Sequence, residues 1–196
     1  MTTKIDQTVI DQLFTTARSH NGWTTEPVTD AELEALYDIV KFGPTSANTQ
    51  PARFVFLRSE AAKARLKPAL SPGNHKALDA PVIVLIGYDL KFYDRIPELF
   101  PHNPGFRDLF VNTPAMVEPH AFRNSSLQGA YLILAARALG LDVGPMSGFD
   151  AAKVDAEFFP GGVVKTNFIA ALGHGDHGKL FDRLPRLAFK DAVELL

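Results

Sequence analysis

The sequence predicts one α+β domain, on three observations. Apolar residues recur at helical spacing in two segments near the N-terminus. Short apolar runs that read as strands stand at 54–57 and 81–86, and a last strong strand at 166–173. The run 122–139 has a helical period and is apolar nearly all round in its second half. No repeat, low-complexity tract or linker divides the 196 residues, a length most simply filled by one domain, 1–196, with a sizeable core.

Taken in order, Ile5, Val9, Leu13 and Phe14 give an amphipathic opening helix over 5–17, which stops near Arg18-Ser19-His20-Asn21-Gly22. Thr29 with Glu32 forms a capping box for a second helix. Its stripe Leu33, Leu36, Ile39 and Val40 should be buried before Gly43 and Pro44 end it. A loop of small polar residues runs over 44–51. Residues 54–57 read as a strand covered on both faces, 59–70 as a helix and 81–86 as another buried strand. Across 89–119 several prolines and aromatics break any period, so this segment is expected to be an excursion or lid. Residues 122–139 make a helix buried in the core or between subunits, with Gly140 placed to cap it. Residues 143–149 lead through a glycine turn into a short helix starting near Asp150. Residues 166–173 are the last strand, and Arg183-Leu-Pro-Arg186-Leu-Ala-Phe189 forms the tail.

Hydrophobic residues at 46% and charged residues at 21% are ordinary for a globular protein and too apolar for a disordered one. The absence of cysteine excludes disulfides, thiolate metal sites and thiol nucleophiles, and fits a reducing cytoplasm. A formal net charge of -2 argues against an electrostatic nucleic-acid binder. Met1-Thr-Thr-Lys-Ile-Asp6 leads into no apolar signal core, and the longest apolar stretch, 131–136, falls far below the roughly 20 residues of a spanning helix. A cytoplasmic protein without membrane or nucleic-acid partners is expected.

Four segments could carry chemistry. The turn at Arg18 and Ser19, with the Asn21 amide, offers a guanidinium whose planar fork suits phosphate; a surface arginine beside a helix cap accounts for it as well. Thr45, Ser46, Asn48 and Gln50 present hydroxyls and amides with almost no charge. Such a surface can hydrogen-bond a flavin's polar edge, or simply connect a helix to a strand. Gly144-Pro-Met-Ser-Gly148 lets backbone amides approach a flat ligand, or makes a tight structural turn. Arg183 and Arg186 are further phosphate candidates, or solvated charges. His174, Asp176 and His177 lie too close together on a glycine-rich turn to enclose an ion, so no metal is expected. The chain has no G-x-G-x-x-G, P-loop, G-x-S-x-G or H-E-x-x-H, which leaves a classical Rossmann dehydrogenase, a phosphate-transfer enzyme and a serine hydrolase without sequence evidence.

In order and separation, these segments resemble the FMN-dependent nitroreductase family, over residues 18–189. The most specific parts are Gly43-Pro-Thr-Ser-Ala-Asn-Thr-Gln-Pro51 and Ala138-Leu-Gly-Leu-Asp-Val-Gly-Pro-Met-Ser-Gly-Phe149. Within the family, Asn21-Gly-Trp23, Phe122-Arg-Asn-Ser-Ser126 and Leu184-Pro-Arg-Leu187 are most similar to malonic semialdehyde reductases of pyrimidine breakdown. The resemblance implies a three-layer fold, with a central, mostly antiparallel sheet flanked by helices. It also implies a homodimer with FMN at the subunit interface. NAD(P)H would be the co-substrate and a small molecule the acceptor, malonic semialdehyde going to 3-hydroxypropionate. The alternatives are a broad nitroarene or quinone reductase, or a flavin-binding protein without turnover.

Residue by residue, the resemblance has Arg18, Ser19 and Asn21 meet the phosphate and ribityl side, with Arg186 and Arg183 completing the clamp. Ser46, Asn48 and Gln50 would come from the partner chain, and Thr45 counts with them among the cofactor-binding residues. Pro145, Met146, Ser147 and Gly148 would lie along the isoalloxazine. Arg107 and Arg123 are candidates for a substrate carboxylate, Arg123 serving equally as a helix-start residue bonded to nearby backbone. Many members carry a basic residue at Ala17, at Asn21 and at Leu184. The phosphate site is therefore less positive here, and either FMN binds less tightly or a neighbour compensates.

Overall fold

The computed structural model describes residues 3–196; Met1 and Thr2, the start of the segment read for a signal, lie outside them. Four strands, β1 (Ala52–Leu57), β2 (Val82–Asp89), β3 (Asp142–Met146) and β4 (Val164–Gly173), form one wholly antiparallel sheet in the order β1-β2-β4-β3. The central pair is set by registers such as Val84 opposite Ala170 and Ile83 opposite Ala171, where β-branched residues meet small ones.

The helices are α1 (Gln7–Ile10), α2 (Asp30–Val40), α3 (Glu60–Leu66), α4 (Ile96–Leu99), α5 (Phe106–Asn112), α6 (Val117–Ala138), α7 (Ala151–Phe158) and α8 (Phe189–Ala192). Side chains alternate across the sheet, so each face has its own core. Leu33, Leu36 and Val40 of α2, with Leu132, Ala135 and Ala136 of α6, pack on Val84, Ile86, Ala170 and Leu172. On the other face Leu66 of α3 and Val154 of α7 pack on Ile83, Leu85 and Ile169. The three layers expected are present.

Local chemistry explains the helix ends. Thr29 accepts from the Glu32 backbone N–H while Glu32 accepts from that of Thr29, the reciprocal box read in the sequence. Gly140, with φ at +80°, ends α6 as an L side chain could not without strain. Segment 89–119 folds into short helices around its own cluster of Tyr88, Phe92, Ile96, Phe110 and Ala121.

Several local expectations need correction. Helix α6 starts at Val117 rather than near Phe122; Pro119 fits its first turn, where backbone N–H groups have no helical partner anyway. The opening helix covers less than 5–17: α1 passes into a π turn over Asp11–Thr15, and Ile5, Val9 and Phe14 of its apolar stripe are exposed. Ile39 is 46% exposed, so the buried stripe of α2 is Leu33, Leu36 and Val40. Strand β1 is an edge, and Phe54, Val55 and Phe56 are only half-buried. The glycine turn at 143–149 begins as a full strand, β3. Pro145 is tolerated there because β4 is the only strand paired with β3 among the described residues, and the other edge, bridged to Ser19 at Val143, asks no N–H of residue 145.

Candidate functional site

Beside β3 opens a cleft of about 1040 Å³. The turn after α1 supplies Arg18, Ser19 and Asn21 to its lining, β3 supplies Gly144, Pro145 and Met146, and the tail supplies Arg183 and Arg186. Segments far apart in sequence therefore meet as expected. The turn is held to β3 by the His20 N–H, which donates to Val143 O at 3.2 Å. Gly144 has no side chain because the His20 carbonyl lies where one would go: a Cβ would stand 2.2 Å from that oxygen. Ser147 and Gly148 lie just beyond the lining, and Gly148 O accepts from Asn74 Nδ2 at 2.8 Å. The tail arginines fold back through backbone acceptors. Arg18 donates to Phe181 O, Arg183 to Ala17 O at 3.0 Å, and Arg186 to Leu184 O at 2.9 Å and Pro185 O at 3.1 Å. None of these three guanidinium groups has a carboxylate partner among the described residues.

The Thr45–Gln50 loop is not part of this cleft; none of Thr45, Ser46, Asn48 or Gln50 lines it. Its backbone is unusual, with Ala47, Asn48 and Gln50 at φ of 49°, 51° and 40°. Left-handed non-glycine residues each cost on the order of 1–3 kcal/mol and persist only where the surroundings over-determine them. Here Ser46 N–H donates to Asn124 Oδ1 at 2.8 Å and Asn48 Nδ2 to Leu99 O at 2.8 Å. Buried Thr49 pairs its Oγ1 with His120 Nε2 at 3.1 Å, and Gln50 N–H donates to Thr45 Oγ1 at 3.2 Å. Helix α6 and the excursion thus hold the loop rigid. Arg107, in the excursion, is tied to Asp94 at 3.0 Å. Arg123 is exposed on α6, next to the Asn124 that grips the loop, and makes no ion pair among the described residues.

Sequence reasoning missed Trp23, Asn74, Lys76 and Arg137, all of which line the cleft. Asn74 and Lys76 sit on a 3-10 turn over Pro72–Asp79 that carries no motif, and Arg137 ends a helix read only for its apolar face. Among the described residues, the buried side-chain nitrogens without a partner are His20 Nδ1, Trp23 Nε1 and Arg137 Nε, and all three residues line this cleft.

The Gly173–Gly178 turn also needs one amendment. His177 meets His20 and Asp142, whose ligand atoms all lie within 4.8 Å of one another, with His20 Nε2 3.3 Å from Asp142 Oδ1. Arg18 and Arg137 face His20 as well, and two guanidinium charges oppose a cation there. We read the trio as a polar tether rather than a metal centre.

Burial is the leading cause that lowers the pKa of both His20 and His120. The Asp142 carboxylate opposes it at His20, and Arg123 adds to it at His120. The unfolded chain then takes up protons at a higher pH than the folded one, so stability is intact above about pH 6.5 and is lost as pH falls through that value toward the folded pKa. The urea midpoint should drop between about pH 7.5 and pH 5.5. His120→Gln should flatten that drop, and an unchanged slope would remove His120 from the account.

Comparison with known proteins agrees with this architecture. The profile described as the nitroreductase family matches residues 15–161. A protein of Burkholderia lata with the provisional name NADH dehydrogenase/NAD(P)H nitroreductase is 57% identical over 194 residues, 98% of this chain and 99% of its own. One from Ralstonia pickettii, provisionally named NADH dehydrogenase/NAD(P)H nitroreductase HadB, is 56% identical over 93% of this chain and 95% of its own. Among solved structures, a protein from Exiguobacterium sibiricum provisionally described as a nitroreductase, in complex with FMN, superposes with a TM-score of 0.86 at 20% identity, covering 100% of this chain and 99% of that one. The enone reductase CLA-ER, of gut-bacterial fatty acid saturation, gives 0.85 at 21% identity over 98% and 100%. With a matched profile over most of its length and relatives this similar from end to end, the chain belongs to the nitroreductase family.

Proposed function

We propose that the chain is half of a homodimeric, cytoplasmic, FMN-dependent oxidoreductase that moves hydride from NAD(P)H to a small acceptor, an aldehyde acid such as malonic semialdehyde. The observation that carries the reading is the cleft. It gathers Arg18, Lys76, Arg137, Arg183 and Arg186 against one lining acid, Asp182, in a chain whose formal net charge is -2. Such a concentration of cations calls for an anion.

The residues present fit FMN. The volume lies at the upper end of small-molecule sites, which run to roughly 1,000 Å³, and none of Arg18, Arg137, Arg183 and Arg186 has a carboxylate ion-pair partner among the described residues. Bound FMN supplies two-electron hydride chemistry between the two substrates. The chain's own residues then have distinct tasks. Arg18, Arg183 and Arg186 hold the phosphate, Ser19, Asn21 and Asn74 the ribityl hydroxyls, and Gly144, Pro145 and Met146 form a flat wall that extends to Ser147 and Gly148. Thr45, Ser46, Asn48 and Gln50 of the partner subunit close the other side, their geometry fixed beforehand by Asn124 and His120. Aldehyde reduction takes hydride from NAD(P)H and a proton from water. Arg123 is the group to grip an acceptor carboxylate, since Arg107 is engaged by Asp94.

The relatives' names support the NAD(P)H-linked reductase and leave the acceptor to experiment. The test compares kcat/KM for malonic semialdehyde, a neutral aldehyde of equal length and a nitroarene. Loss of the carboxylate contact should lower kcat/KM by roughly ten- to a hundred-fold, which is about 1.5–3 kcal/mol. Equal values for the two aldehydes would remove Arg123 from the scheme. A nitroarene or quinone preferred over both would make the protein a broad reductase, and flavin binding without NAD(P)H oxidation would make it no enzyme at all.

A further inference from the structure

Among the described residues, the Arg137 guanidinium is the one cation of the cleft with a buried nitrogen left without a partner. Its Nη1 donates to Leu13 O at 2.8 Å, its Nε is buried without a partner, and no carboxylate ion-pairs with it among the described residues. Burial pulls its pKa below the usual arginine range, against the opposing pull of Asp142. A half-buried guanidinium with a sealed nitrogen and no direct ion pair is costly, and an anion in the cleft would offset that cost. Arg137 also differs from its neighbours in origin. Arg18 stands on a turn and Arg183 and Arg186 on an exposed tail, whereas Arg137 projects from the last turn of α6, whose Ala135 and Ala136 are core. Its head is tied to Leu13, on the same segment as Ala17. Arg137 therefore adds a fixed charge to the same lining as Arg18, before any ligand arrives.

We propose that Arg137 is an anion-binding residue of the cleft, its Nη2, which has no partner among the described residues, donating to a phosphate oxygen of a phosphomonoester ligand. This rests on the flavin reading above and extends it to a residue on the core side of the site. The phosphate is gripped from within by Arg137 and from without by the tail arginines. A merely structural Arg137, capping Leu13 O, would act on any ligand alike; a phosphate-binding one discriminates.

Full-length protein reconstituted with FMN or with riboflavin separates the two. Flavin released on dilution is followed by its fluorescence, for the wild type, Arg137→Met and Arg137→Lys. The methionine variant should release FMN at a concentration roughly ten- to a hundred-fold higher than the wild type, with riboflavin retention changed less than about two-fold. Lysine, which keeps the charge and loses the forked donors, should fall between. Equal weakening toward both flavins, or unchanged FMN retention, would overturn the proposal. If the methionine variant fails to fold, the same FMN-to-riboflavin ratio in Arg137→Lys decides. Wild-type protein that retains neither flavin would overturn the flavin reading itself, an outcome distinct from failure of the variants alone.

Discussion

Gly144→Ala should lower stability by about 1–3 kcal/mol or more, the cost of forcing one extra carbon into a packed seam. The added Cβ would stand 2.2 Å from the His20 carbonyl oxygen and 3.5 Å from Trp23 Cζ2. Neither side can retreat. Gly144 lies opposite Ala171 in the β3–β4 ladder, while the turn carrying His20 is bonded to Val143 and bridged to it through Ser19. For a domain of this size each kcal/mol is worth roughly 2–4 °C, so the melting temperature should fall by about 2–12 °C. Gly73→Ala is the control: its Cβ would meet nothing within 4 Å, and its melting temperature should not move. Gly144→Ala also pushes the Arg18 turn away from β3, so flavin retention should fall with stability. An unshifted melting temperature for Gly144→Ala would mean that the turn and β3 do not approach as closely as the structure places them.

That seam also marks where the sequence stopped being legible. Elements whose cause is local were readable: the Thr29/Glu32 box, the Gly140 terminus, and the runs that became β2 and β4. Strand β3 was not, because Gly144, Pro145 and Ser147 carry turn chemistry and only pairing with β4 makes the segment a strand. Ile39 was misjudged because α2 meets the core along a narrower stripe than its apolar residues occupy; it stays exposed with Tyr37 and Phe42. The site divides the same way. Arg18, Ser19, Asn21, Pro145, Met146, Arg183 and Arg186 stood in recognisable segments and converge on the cleft. Asn74, Lys76 and Arg137 reach it only through tertiary packing and have no local signature. The rigidity of the Thr45–Gln50 loop was equally hidden, since its strain is held by Leu99, His120 and Asn124, far along the chain.

Two disabled variants should restore each other when produced together. Arg18→Ala/Arg186→Ala removes two guanidinium groups from the cleft, and Asn48→Gly/Gln50→Gly removes the loop's side chains while glycine accepts the left-handed backbone. In one protomer these groups do not meet, yet the flavin reading requires both at a single site. The surface supports a second chain. Phe42 is 82% exposed, and Phe181, Leu184, Leu187 and Phe189 of the tail are exposed as well, apolar side chains that a partner could cover. In a two-fold dimer, random association makes half of the molecules heterodimers. Each of these has one site with both walls intact and one with both damaged. Co-expression should therefore restore flavin content and NAD(P)H oxidation to about a quarter of the wild-type level, while each variant alone shows almost none. Circular dichroism must first show both variants folded. Restoration to that level would place the Asn48 and Gln50 wall on the partner subunit. No restoration from two folded variants would mean that the loop does not serve a neighbour's cleft, and the composite site would have to be abandoned.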